Sequence, residues 1–414
     1  MQPSMRNLVL ENGVRVVTQK TKGPPTVAVS VQYGIGFRNE PRHRSGFAHL
    51  FEHMMFQGSK NVPGQGHFSL VQACGGVANG NTYQDHTEYH QVVPSTTLDR
   101  VLFAEADRMR ALDITEENLG TQIDVVKEEI RSNVLNKPYG GFPWTILPQA
   151  LFTKWENTHN GYGDLEDISR ATLDDCTDFF ESYYSPSNAV ISLCGNIDHA
   201  EAETLVREYF DDVPPRAVPA PADLHEPWPM KQNVLRHKDP MAPKPATALG
   251  YRMPGPADSL DDYAAHLVLS ALLTGGHHGL AKQVTGDISS GCGLFGPLKC
   301  AAPETFLIVA THDEGQHGPV AERIGRVVHR VASGGVDEAE VAAAVRSALA
   351  SLYRRQDSLL SRAGLAGTGQ ILFGNPHIAA DLVTCVERVG KASVAEAAAS
   401  LCGQYPAVVH LVRS

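Results

Sequence analysis

His49-Leu50-Phe51-Glu52-His53 constrains the first half of this chain more than any other stretch. Two imidazoles four residues apart share a direction on a helix, where positions i and i+4 lie one turn apart on the same face. The flanks agree with a helix. Ser45-Gly46-Phe47-Ala48 before it is small and apolar, and Met54-Met55-Phe56-Gln57-Gly58 follows, with Gly58 expected to end the helix in a left-handed conformation. Ala48, Leu50, Phe51, Met54 and Met55 surround the two histidines with apolar side chains, so the segment reads as mostly buried. Two imidazoles held this way can grip one Zn²⁺, with Glu52 near enough to take a proton from a water beside the ion.

A catalytic zinc keeps three protein ligands and one open position. Thr115-Glu116-Glu117 reads as a helix start, a Thr cap followed by acid in the first turn. Leu119, Ile123, Val126, Ile130 and Val134 then recur at helical spacing. Glu128 and Glu129 both lie within this helix, and periodicity alone does not choose between them.

The order His-x-x-Glu-His is the inverzincin signature of zinc peptidases. Together with Val125-Val126-Lys127-Glu128-Glu129-Ile130 downstream, it resembles the pitrilysin, or M16, family, which includes insulin-degrading enzyme and the mitochondrial processing peptidase. Asn12-Gly13-Val14-Arg15-Val16 resembles that family's first strand. The stretch Cys74-Gly75-Gly76-Val77-Ala78-Asn79-Gly80-Asn81-Thr82 resembles its Gly-Gly-x-x-Asn-Ala-x-Thr strand, and Tyr184-Ser185-Pro186-Ser187-Asn188 resembles its Tyr-x-Pro-x-Asn turn. The resemblance is close from about Leu8 to Pro214 and vaguer beyond.

The resemblance implies an α+β fold of the LuxS/MPP-like type: two similar domains, each a mixed, largely antiparallel β-sheet covered by helices. It picks Glu129 over Glu128 as third ligand, so His49, His53 and Glu129 would hold one Zn²⁺ per chain. Glu52 would be the general base. Asn79 and Thr82 would sit beside the catalytic water, on a segment, Val77 to Thr82, that reads as an edge strand able to pair with a peptide. One departure concerns the surroundings of the metal. The family usually carries a further Glu seven residues before the third ligand, and this chain has Gln122, which can hydrogen-bond but brings no charge.

Other clusters receive no metal role. His86 and His90, read as extended, share one strand face but lie about 13 Å apart. His277-His278 and His312-Asp313-Glu314 read as loops. Cys74 reads as part of a turn, and no Gly-x-Ser-x-Gly argues for a serine route.

The chain has 414 residues, which fits two domains, and the Pro-rich run from Pro214 to Pro229 marks the expected boundary. The expected division is 1–213 as the catalytic zinc-binding domain, 214–229 as linker and 230–414 as a similar domain without a metal site. An apolar fraction of 42% supports buried cores, and no run of 18 apolar residues argues for a membrane span. A net charge of −11 argues against nucleic acid and anionic lipid as partners. Met1 to Arg6 lacks the layout of a secretory signal, and the seven cysteines are scattered and odd in number, so a cytoplasmic protein is expected.

Strands are expected at Val14–Val17, Thr26–Tyr33, Thr82–Val93, Ala189–Cys194, Ala246–Tyr251, Thr305–Thr311 and Ala407–Val412. Helices are expected at Leu98–Ala111, His199–Tyr209, Ser259–Leu273, Pro319–Ala332 and Val336–Leu352. The second half has no His-x-x-Glu-His. Where family members supply a substrate-clamping Arg and Tyr, this chain has Thr285 and Cys292. The resemblance therefore implies a heterodimer, in which a second, related chain without the zinc motif closes a chamber around a peptide or precursor substrate. The alternative partner is a second copy of this chain. Two functions follow: a zinc endopeptidase, favoured by retention of all four site residues, or a non-catalytic structural subunit of an M16-type complex.

Overall fold

The computed structural model describes residues 4–276 and 279–413, so His277 and His278 lie outside the described residues. The chain divides into two compact units, neither of them a continuous stretch. The first comprises Met1–Glu128, Gly161–Ala222 and Arg355–Ile378, and the second Glu129–Asn160, Asp223–Arg354 and Ala379–Ser414.

The first unit is built on six strands: β1 (Met5–Val9), β2 (Arg15–Lys20), β3 (Thr26–Tyr33), β4 (Val77–Thr82), β5 (Thr87–Pro94) and β6 (Ala189–Gly195). Their order is β1-β2-β6-β3-β5-β4, with β4 at one edge. Only the β2–β6 pair is parallel; the other pairs are antiparallel. β3 shows how the sheet is covered. Alternate strand residues face opposite sides. Val27, Val29, Val31 and Tyr33 are apolar and fully buried. Tyr33 lies against Tyr184, whose ring also meets Phe51 of the motif helix at 4.8 Å. Ala28, Ser30 and Gln32 make the other face small and polar, and it is buried too. There a glycine-rich helix, Leu359–Phe373, comes close enough for Gln32 Nε2 to donate to the Gly364 carbonyl at 2.9 Å. A Cβ at Gly367 would lie 2.7 Å from the Gln32 amide nitrogen, and one at Gly364 2.7 Å from a Glu88 oxygen. The polar sheet face thus requires a helix without side chains at these points.

The second unit contains β7 (Asn233–Lys238), β8 (Ala246–Met253), β9 (Ile288–Cys292), β10 (Glu304–Thr311) and β11 (Ala407–Val412). Their order is β7-β11-β8-β10-β9, again with one parallel pair, β7–β11. Set β1 aside, and the two sheets share one plan. In each, the first strand pairs in parallel with the last, followed by the second, fourth and third. This is the expected α+β architecture of two similar, largely antiparallel sheets covered by helices. A short helix, Leu147–Leu151, packs on the second sheet with Ala246, Ala248, Val409 and Leu411. No helix among the described residues is long and apolar enough to cross a membrane.

Most expected elements appear within a few residues. Thr82–Val93 is a correction. It is not one strand: Tyr83 and His86 close a turn, the Tyr83 N–H donating to the His86 carbonyl at 2.9 Å, so β4 and β5 form a hairpin. His86 therefore belongs to a turn and does not share a strand face with His90.

Candidate metal centre

The motif helix runs Phe47–Met54. Phe47, Leu50, Phe51 and Met54 form its buried side, Phe51 meeting Phe179 at 5.1 Å. This leaves His49, Glu52 and His53 together on the opposite side. Gly46 caps the start with φ 89°, and the buried Glu40 carboxylate accepts from the Gly46 and Ala48 N–H groups, each at 2.8 Å. An acid at a helix N-terminus satisfies orphan donors and the helix dipole together. Gly58 is not the C-terminal cap. Met55 takes that place in a right-handed conformation, and Gly58 instead bridges to Pro63 with φ 129°.

The third ligand candidate comes from the helix Glu116–Ile130. Its start is capped as expected, Thr115 Oγ1 accepting from the Asn118 N–H at 3.2 Å, with Asn118 Oδ1 accepting from the Thr115 N–H at 2.9 Å. Leu119, Val126 and Ile130 are buried. Gln122 and Glu129 lie two turns apart and share a face of this unbroken helix. Gln122 is buried and its Oε1 lies 3.3 Å from His53 Nδ1. With Nδ1–H donated to that oxygen, the ring's Nε2 keeps its lone pair. Glu128 is exposed. A π-helical segment, Arg131–Leu135, follows directly.

His49, His53 and Glu129 each offer a ligand atom, all within 4.8 Å of one another, and among the described residues no other trio of His, Cys, Asp or Glu converges as tightly. The two imidazole centroids are 5.0 Å apart, their planes at 85°. Ligands about 2.0–2.2 Å from a tetrahedral zinc stand about 3.4 Å apart. Small side-chain rotations therefore close the set on an ion, and none of the three is solvent-exposed. The donor set, two imidazoles and a carboxylate, suits zinc, and the amide at His53 is the kind of outer partner that fixes a ligand's tautomer.

Glu52 faces the edge strand β4. Thr82 Oγ1 donates to Glu52 Oε2 at 2.6 Å. A Cβ at Gly80 would lie 2.7 Å from Glu52 Oε1, so the carboxylate occupies room that a glycine leaves. Gly80 and Thr82 share one face of the strand. Asn79 has the opposite parity, is exposed, and its Oδ1 accepts from the Gly80 N–H at 3.0 Å. Behind Glu52, the Tyr89 and Tyr184 hydroxyls lie 3.0 Å apart. Burial first, with the Glu52 charge adding to it, pushes both phenols above their ordinary range.

The remaining sequence candidates lie elsewhere. His86 stacks on Tyr83. His312 Nε2 lies 2.9 Å from Thr247 Oγ1, in the second unit. Two residues that shape the site escaped the sequence reading. Glu40 looks like a surface acid in a polar run, Arg38 to Arg44, and only the fold returns it to the helix start. Tyr162 meets the His49 ring edge to face at 5.6 Å, and its only sequence signal is the flanking pair Gly161 and Gly163.

Comparison with known proteins gives two family models. One, described as Insulinase (Peptidase family M16), matches residues 15–138. The other, Peptidase M16 inactive domain, matches residues 170–348. The zinc protease PqqE of Helicobacter pylori is 31% identical over 280 residues, 66% of this chain and 61% of that protein. Subunit 1 of the mitochondrial cytochrome b-c1 complex of Rattus norvegicus is 25% identical over 276 residues, 67% of this chain and 56% of that protein. The chain thus spans about three fifths of the length of these relatives. A crystal structure of a protease from Helicobacter pylori superposes with TM-score 0.90 at 23% identity, covering 99% of this chain and 100% of that one, a likeness of fold. The two matched models describe successive parts of one family's architecture and between them take in most of the residues, so this chain belongs to the M16 peptidase family.

Proposed function

We propose that this chain is a zinc-dependent endopeptidase. The carrying observation is the convergence of His49, His53 and Glu129, with Glu52 beside them. Those three residues would hold Zn²⁺. When bound, the ion would supply Lewis acidity to a peptide carbonyl and lower the pKa of a water toward neutral. Glu52 takes the proton from that water and returns it to the leaving amine. Thr82 steadies one Glu52 oxygen by its 2.6 Å hydrogen bond. The edge of β4 gives an extended peptide a line of backbone groups to pair with, which fits the sheet order, and Asn79 lies on the outward side of that strand.

A second chain is part of this proposal. Thr285 and Cys292 stand where the family's clamping Arg and Tyr would be. The Thr285 hydroxyl is used by the Ala281 carbonyl, and Cys292 is buried at the end of β9. Neither supplies a cation or a phenol, which supports a related subunit that brings both and closes a chamber, or, as the alternative, a second copy. The odd, scattered cysteines support a cytoplasmic setting. Similarity to a cytochrome b-c1 subunit and to the inactive-domain model favours a second reading, a non-catalytic structural subunit.

The test is metal content by mass spectrometry together with peptide cleavage for the wild type and Glu52→Gln, each with and without a candidate partner. The enzyme reading expects one zinc in both proteins and cleavage only in the wild type. A wild type without zinc, or zinc without cleavage in any pairing, selects the structural reading.

A further inference from the structure

We infer that Tyr162 is a positioning residue for His49, and that the turn from Gly161 to Asp164 is built to hold it there. The inference rests on the zinc reading above. A ligating imidazole turns about a broad, two-fold torsion, so its nitrogen needs a further contact to keep its aim. His53 has the Gln122 amide at Nδ1, 3.3 Å away. His49 has a perpendicular phenol ring beside it: ring centroids 5.6 Å apart, planes at 89°. That edge-to-face arrangement is a favoured one for aromatic pairs.

The turn carrying Tyr162 is locked to the first residues of the motif helix. Gly46 and Gly163 meet backbone to backbone, a Cβ on Gly163 falling 2.3 Å from Gly46 Cα and a Cβ on Gly46 2.8 Å from the Tyr162 carbonyl oxygen. Both glycines have positive φ, 89° and 80°. A Cβ on Gly161 would lie 2.6 Å from the Phe37 ring. Two hydrogen bonds tie the pieces. The Asp164 N–H donates to the Ser45 carbonyl at 3.4 Å, and the Ser45 N–H donates to Asp167 Oδ2 at 3.3 Å. Asp164 itself caps the next helix, Leu165–Ser169, accepting from the Glu166 and Asp167 N–H groups. The chain thus leaves Tyr162 between two glycines, of which Gly163 has no room for a side chain against the start of the motif helix and Gly161 lies against the Phe37 ring. Its ring lands on the one imidazole that Gln122 does not serve.

The experiment measures zinc affinity by competition with a chromogenic chelator, on the full chain, for wild type, Tyr162→Phe, Tyr162→Ala and Tyr162→Leu. Phe keeps the aromatic ring and is expected to hold zinc like the wild type. Ala and Leu are expected to bind about tenfold more weakly, the lower end of what losing an outer partner costs. Leu keeps the bulk, so its loss is not a packing collapse, and circular dichroism should match the wild type. Wild-type affinity in both Ala and Leu overturns the inference. So does a Phe variant as weak as Ala, because the hydroxyl rather than the ring would then be the working part. A wild type that binds no zinc at all refutes the metal reading instead, and is seen before any variant is made.

Discussion

A carboxylate that must accept a proton and pass it on works best with one oxygen tethered and the other available. Thr82 provides the tether for Glu52, its Oγ1 donating to Glu52 Oε2 at 2.6 Å. Gly80 provides the space. Thr82→Val removes the donor at nearly constant volume. We expect unchanged zinc content and KM, with kcat lowered about tenfold, the equivalent of about 1.4 kcal/mol for one hydrogen bond to a charged group. Thr82→Ser should recover most of the loss. A Val variant with wild-type kcat would show that Glu52 holds its place unaided. At this scale the motif residues were legible because a helix fixes i, i+4 geometry whatever surrounds it. Gln122 was legible only through the family resemblance, and the structure gives it a partner, His53. Glu40 and Tyr162 were not legible. A cap that reaches back from an upstream loop and a ring that arrives from far downstream leave no local period.

Elements position the site by burying polar groups at a thermodynamic cost, and one of those groups is a pH sensor for stability. The helix Gly66–Ala73 is pinned to the sheet by His67, whose Nε2 lies 3.0 Å from Gln91 Oε1, beside the buried Glu105–Arg108 pair. Burial first, then the Arg108 charge, pushes His67 down to about 4. In the second unit, burial and the neighbouring His317, Arg236 and His312 push His410 down to about 4 as well. An unfolded histidine titrates near 6.5. Between about 6.5 and 4 the unfolded chain therefore binds more protons than the folded one, and stability falls as pH falls through that window. His67 could account for about 3 kcal/mol across it, and His410, half exposed, for less. Urea midpoints measured from pH 7 to pH 4.5 should drop steadily, and His67→Gln should flatten the slope. A flat wild-type profile would mean that His67 is protonated in the folded state. The strands and amphipathic helices were legible from alternation and from three- and four-residue recurrence. The helix Leu359–Phe373 was not, because Gly364, Gly367 and Gly369 argue against a helix by propensity; their close neighbours are Glu88 on β5, Gln32 on β3 and the Asn375 carbonyl just after the helix, which only the fold brings together.

For the whole molecule, the chain order does what composition cannot reveal. With β1 set aside, each sheet follows the same plan, first strand beside last, then second, fourth and third. Residues 129–160 nevertheless join the second unit and 355–378 the first. The proline-rich run is visible in sequence, but an exchange of segments between units has no compositional mark. It has a mechanical consequence. The face of the first sheet formed by Ala28, Ser30, Gln32, Val17 and Val190 is covered by Leu359–Phe373, with Ala363 and Ala366 seated on it. A fragment of residues 1–222 would carry the motif helix and the sheet but expose that face, including the Glu88 carboxylate that Ser30 binds at 2.8 Å. We expect it to bind a hydrophobic dye, to lack a cooperative thermal transition, and to gain one when a synthetic peptide of residues 355–378 is added. The same fragment melting cooperatively as a monomer without the peptide would mean that the sheet tolerates a bare polar face. The downstream helix would then be dispensable to the fold that holds His49 and His53 in place.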